Sequence, residues 1–150
     1  TDYAASSANG SVKKSGGGPV AADNYSRPKT PKEYDEMKNP FAATPEMLAE
    51  AANEGKSIFA GKCVTCHGTL GIGDGPTGVS ATPKPRDLTN VLEFHEKVSD
   101  GYIYWRILKG AEPYKGPGGS IMTQFETGPD KLTPEQIWKV VSYVRTLGKR

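Results

Sequence analysis

The stretch Lys62-Cys63-Val64-Thr65-Cys66-His67-Gly68 contains both cysteines and one of the two histidines of this 150-residue chain. Two thiols three positions apart, followed at once by an imidazole, put three soft ligand atoms on about one turn of backbone. Several chemistries use such a turn: covalent attachment of haem, a redox dithiol, a local disulfide, or part of a zinc site. Each demands a different remainder of the chain, so the flanking sequence must separate them.

Helix signals surround the motif. "TPEMLAEAANEGKSIFAGKC" offers Thr44 as N-cap, Pro45 at the first helical position and Glu46 in the first turn. "SDGYIYWRILKG" has Ser99 or Asp100 as cap, large apolar side chains in the middle and Gly110 as a stop. "TPEQIWKVVSYVRTLGKR" sets Thr133 and Gln136 at capping-box spacing, with Ile137, Val140, Val141 and Val144 on one face. Residues 68–98 and 111–132 are dense in Gly, Pro, Thr and Asp, and no strand or repeat is read there. The expectation is an all-α domain of about three to five short helices with long loops. At 35% hydrophobic content the chain can build one modest core, not two.

Short helices joined by long loops bury little apolar surface, so something else must fill the middle. A redox dithiol would not require His67, and it would normally sit in a β-α-β pattern that is missing here. Zinc would need four ligands, and only Cys63, Cys66, His67 and His95 are soft enough, two of them adjacent. A disulfide closing so short a loop would add little stability. Covalent haem meets both demands: Cys63 and Cys66 would bond the vinyl groups, His67 would ligate iron, and the porphyrin would be the missing core.

On these residues the chain resembles the class I monohaem c-type cytochromes over about residues 44–148. "EGKSIFAGKCVTCHGTLGIGDG" is similar to the family's first helix leading into the attachment site, with Gly55 and Phe59 where that helix crosses the last one. "WKVVSYVRTL" is similar to the last helix, with Tyr143 as the aromatic residue at the crossing. The resemblance implies a cytochrome c fold carrying one covalently attached haem c.

Candidates for the sixth iron ligand are Met37, Met47, Met122 and His95, with a lysine more remote. The resemblance favours Met122, because the family's distal methionine comes from a late loop and "GPGGSIMTQF" occupies that place. Thr123 stands where the family commonly has proline, although Phe125 keeps the following aromatic, and His95 is the alternative. Pro76 is the expected source of the carbonyl that orients the proximal imidazole. Arg86, Tyr104, Trp105 and Arg106 fall in segments resembling those that line the haem edge, where propionates demand donors or cations.

With His67 and Met122 both on iron, no position is left for substrate, and no acid-base or nucleophilic constellation accompanies the motif. The expected function is one-electron transfer between a protein donor and a protein acceptor, not catalysis; a haem with a displaceable sixth ligand is the reading from another class. Residues 1–43, rich in Gly and Pro and lacking periodicity, read as an irregular N-terminal extension preceding a cytochrome c domain at 44–150. Such an extension suits binding along other subunits of a membrane-associated respiratory or photosynthetic complex, and "GIGDGPTG" and "DGYIYWRILKG" resemble monohaem subunits of bacterial respiratory complexes. A free periplasmic shuttle is the alternative. A net charge of +2 gives no strong field for nucleic acid. No apolar run approaches the roughly 20 residues of a membrane span, and "TDYAASSANG" does not read as a signal peptide. Attachment chemistry of this kind places the protein outside the bacterial cytoplasmic membrane, in the periplasm or on the external membrane face.

Overall fold

The computed structural model describes residues 27–113 and 120–148. Most of the expected partner-binding extension, residues 1–26, lies outside the described residues. Five α-helices occur among those described: α1 Lys32–Asp35, α2 Pro45–Lys62, α3 Val64–His67, α4 Asp100–Lys109 and α5 Pro134–Thr146. Short 3-10 turns at Pro40–Ala43 and Gly78–Ser80 and a π turn at Val91–His95 complete them, and no strand is present among the described residues. The all-α expectation holds.

Each long helix starts at the residue whose side chain caps it. Thr44 Oγ1 accepts the Met47 N–H at 3.0 Å ahead of α2. Ser99 Oγ accepts the Tyr102 N–H at 3.0 Å ahead of α4. At α5 the box is reciprocal: Thr133 Oγ1 accepts from Gln136 N at 3.1 Å, and Gln136 Oε1 accepts from Thr133 N at 2.8 Å. α4 ends at Gly110, whose φ of 58° is a backbone setting that favours glycine.

The domain is organised by the crossing of α2 and α5. α2 turns Ala51, Ala52, Gly55 and Phe59 inward, and α5 answers with Ile137, Val140, Val141 and Val144. Burying one such aliphatic side chain contributes about 1.5–3 kcal/mol, so this seam dominates stability. A Cβ at Gly55 would stand 1.9 Å from the Lys139 carbonyl oxygen, which is why a helix-weakening residue occupies the middle of α2. Tyr143 packs on Phe59 beside the crossing, ring centroids 5.2 Å apart. α4 lies against the same core, with Tyr104 over Trp138 at 4.6 Å.

The structure differs from the sequence reading upstream of Thr44. Residues 31–43, assigned from sequence to the irregular extension, fold back as a strap over α4 and α5. The Tyr34 ring lies 6.4 Å from both Tyr104 and Trp105. Asp35 accepts from Ser99 Oγ at 2.8 Å. Asn39 is buried, donating to Ser142 Oγ at 2.9 Å while its Oδ1 accepts the Phe41 N–H at 2.9 Å. A strap held by scattered contacts, from Tyr34, Asp35, Met37, Asn39 and Phe41, has no hydrophobic period to read, which is why the sequence alone gave no boundary upstream of Thr44.

Candidate functional site

α2 runs straight into the motif. The Cys63 N–H closes α2 on the Phe59 carbonyl at 2.8 Å, and the His67 N–H begins the next turn on the Cys63 carbonyl at 2.9 Å. The loop that follows returns to cap α3: Gly73 N–H binds the His67 carbonyl at 2.8 Å, Gly75 N–H the Cys66 carbonyl at 3.0 Å, and Thr77 N–H the Thr65 carbonyl at 2.8 Å. Carbonyls that a helix terminus leaves unpaired are thereby satisfied, so α3 is held at four residues without propensity of its own. Cys63 and Cys66 are free thiols. Burial, helped by the neighbouring Cys66, pushes the Cys63 thiol up to about 12. Redox dithiols require the opposite shift. Among the described residues no group of three or more His, Cys, Asp or Glu is arranged to hold a metal ion by itself.

His67 is half-buried and sits 6.4 Å from the Phe59 ring. Its Nδ1 lies 3.2 Å from the Arg86 carbonyl oxygen, which can only accept, so the ring carries its proton there. Nε2 is left as a lone-pair donor with no hydrogen-bond partner among the described residues. Burial holds the His67 pKa below its ordinary value, against the Arg86 bond, which raises it, and with the Arg106 charge, which lowers it further. The imidazole is therefore neutral, as a metal ligand must be.

The orienting carbonyl was expected from Pro76, and the structure corrects this to Arg86. Pro76 lies between Gly75 and Thr77, whose amides are bound to the back of α3, so its segment caps the helix instead of facing the ring. The expected roles of the haem-edge residues also divide. The Arg86 guanidinium donates to the Glu93 carbonyl and lies 5.7 Å from the centre of the Phe94 ring. Tyr104 and Trp105 are core residues, 5% and 6% exposed, packed among Tyr34, Tyr102 and Trp138. Arg106 is close enough for its charge to reach His67, and its guanidinium donates to the Gly110 carbonyl at 2.5 Å.

That end of α4 also holds the Met122 loop. Ala111 N–H binds the Met122 carbonyl at 2.9 Å and Phe125 N–H binds the Leu108 carbonyl at 3.2 Å. Met122 is half-buried and packs on the core cluster against which Cys63 and Val64 also pack. Of the other candidates, Met47 is 42% exposed at the start of α2, and Met37, in the strap, is half-buried and packs against the core. His95 has both ring nitrogens engaged by protein, Nε2 with the Leu88 carbonyl at 2.7 Å and Nδ1 with Arg145 at 3.5 Å. Sequence reasoning missed the Arg86 carbonyl and the Arg145–His95 pair because a backbone oxygen has no residue signature and the pair spans 50 positions.

Two free thiols on one turn, and a neutral imidazole whose unpaired Nε2 points away from its own anchor, fit a covalently held haem. The comparison with known families agrees: the profile described as Cytochrome c matches residues 52–148. The chain belongs to the cytochrome c family, whose members carry covalently attached haem c and move electrons through it. A single attachment motif is consistent with the monohaem class I type. No curated protein matches the chain.

Proposed function

We propose that the protein is a one-electron carrier in which Cys63 and Cys66 hold a single haem c, His67 is the proximal ligand and Met122 the distal one. The observation that carries this reading is the His67 Nδ1–Arg86 carbonyl bond, which fixes the tautomer and leaves Nε2 for iron. Met122 is favoured over His95 because both nitrogens of His95 are engaged elsewhere. When bound, the haem supplies a reversible ferric/ferrous couple. The protein's part is to hold the two ligands on separate supports, α3 and the α4-anchored loop, so that neither need move when charge changes. Arg106 adds positive charge near His67, and we assign it, with Arg86, to the propionate side. No acid-base pair is required, so the chain is a carrier and not a catalyst.

The same proposal places the protein on the external side of the cytoplasmic membrane as a subunit of a larger oxidoreductase, with residues upstream of Arg27 lying along a partner. No helix among the described residues is long and apolar enough to cross a membrane. The support is compositional: residues 1–26 cannot build a core of their own.

The test is a reduced-minus-oxidised spectrum of the native protein and of Met122→Ala, including the weak near-infrared band of sulfur bound to ferric iron. Low-spin iron, unchanged by carbon monoxide, with a band that disappears in the variant, is expected. A native protein that lacks the band or binds carbon monoxide would reject the ligation. Sizing of the full chain with its native partners against one starting at Arg27 tests this reading: unchanged assembly would reject the upstream residues as the contact, and a full chain that runs alone would be a free shuttle.

A further inference from the structure

The segment that supplies the Arg86 carbonyl is short, has no regular structure, and is pinned at almost every residue. Leu88 N–H binds the Gly71 carbonyl at 2.7 Å on one side. Asp87 Oδ1 accepts from Thr89 N–H at 2.9 Å and from Thr89 Oγ1 at 2.6 Å, closing a small side-chain turn. On the other side stands the π turn Val91–His95, which reaches back twice: its Glu93 carbonyl receives the Arg86 guanidinium, and its His95 binds Leu88.

The His95 contact is short, 2.7 Å, and directional. Because the Leu88 carbonyl can only accept, Nε2 carries the proton and Nδ1 is an acceptor, which is the side Arg145 approaches. Arg145 holds the ring's own backbone as well, donating from Nη1 to the His95 carbonyl at 3.1 Å and from Nη2 to the Val98 carbonyl at 2.8 Å, while Nε binds Asp100 at 2.6 Å. The Phe94 ring meets His95 edge-on at 5.1 Å, and Gly148 lies against the imidazole, where a Cβ would come within 3.1 Å of Cδ2. Burial keeps the His95 pKa below its ordinary value, with Arg145 acting in the same sense and the Leu88 bond and Asp87 acting against it. The ring is a neutral strut between α5 and the segment 86–88.

We propose that His95 is a positioning residue for His67: by donating Nε2–H to the Leu88 carbonyl, from a ring locked by Arg145, it holds the 86–88 segment so that the Arg86 carbonyl stays on His67 Nδ1. The inference rests on the reading of His67 as the iron ligand. A carbonyl held on Nδ1 raises the imidazole's basicity, which favours ferric iron. Loosening the segment weakens that bond and favours ferrous iron.

The experiment uses the holoprotein in three forms: native, His95→Phe, which keeps a ring but has no donor, and His95→Gln, whose amide restores one. In His95→Phe the ferrous/ferric ratio at fixed poise is expected to rise about threefold, about 28 mV at about 59 mV per tenfold for one electron. Exchange of the Leu88 amide should quicken at least about tenfold as the segment opens more often. His95→Gln should return both towards native. A potential that stays native in His95→Phe while Leu88 exchange quickens would overturn the proposal, since the segment would then move without His67 feeling it. Native exchange in that variant would overturn it too, showing that Arg86 and Gly71 hold the segment alone. Should His95→Phe not assemble, His95→Asn, whose amide falls one methylene short of Leu88, is read by the same criteria. The sulfur-ligation band of the native protein is recorded in parallel, so failure of the His67/Met122 assignment is distinguished from failure of the strut.

Discussion

At the α2–α5 crossing, order comes from apolar faces, with a Lys139–Glu54 ion pair at 2.7 Å on their rim: Ile137, Val140 and Val141 are at most 1% exposed, and the backbones approach until only Gly55 fits. Between Arg86 and His95, by contrast, the buried side chains are Leu88, Thr89 and Phe94, and shape is held by side chains bonded to backbone oxygens and nitrogens. Apolar packing is non-directional, so the crossing tolerates any sequence of the right volume and period. Hydrogen bonds to carbonyls are directional and individually worth about 1 kcal/mol, so the loop adds little stability yet sets one atom, the Arg86 oxygen, to within a bond's reach of His67. Damage to the first region should therefore unfold the domain, and damage to the second should alter its site.

The largest expected effect breaks the crossing. Gly55→Val should cost about 3 kcal/mol or more, because its side chain must displace the Lys139 backbone, and holoprotein yield with thermal unfolding will show it. A variant as stable as native would mean the helices can separate cheaply and that the crossing is not the organising contact. Asn39→Ala tests a polar bond set inside apolar surroundings; it removes the donor to Ser142 and the acceptor for Phe41, and should lower stability by about 2 kcal/mol in denaturant titration. Thr133→Ala removes one side of the α5 capping box and should cost about 1 kcal/mol with no change in the haem spectrum.

The smallest effect sharpens the contrast from the loop side. The folded pKa of His95 lies below its ordinary value of 6.5, so the unfolded chain takes up the proton first. Stability from this group is fully present above about 6.5 and falls as pH drops from there towards the folded pKa. Comparing unfolding midpoints of native protein and His95→Gln from pH 7.5 down to 5 should show the native protein losing more. Equal slopes would mean that Arg145 and Asp87 leave the ring's protonation indifferent to folding.

The parts of this protein that were legible in one dimension are those where local rules and the global fold agree. Thr44, Ser99 and Thr133 cap the helices they were expected to cap, because a capping side chain reaches only two or three residues along its own chain. Ile137, Val140, Val141 and Val144 are buried on the period that announced them. Cys63, Cys66 and His67 lie within five positions, so their juxtaposition is covalent geometry and needs no fold to create it.

What lay beyond the sequence involves partners brought together from far apart. The Arg86 carbonyl reaches His67 across 19 positions, Arg145 reaches His95 across 50, and Asn39 reaches Ser142 across 103. Pro76 was the expected carbonyl on the family resemblance, but its segment is occupied in closing α3, and the carbonyl that meets the ring comes from further on. The Tyr104 and Trp105 rings likewise have a neighbour, Tyr34 of the strap, that no local pattern announces. By itself the sequence determined the three long helices, the crossing of the first and last, and the Cys63–His67 turn, since each is written in spacing along one chain. Only the tertiary structure decided which carbonyl meets His67, that both ring nitrogens of His95 are engaged, and that residues 31–43 pack on the helices, because a hydrogen bond between distant residues depends on where the folded backbone carries them.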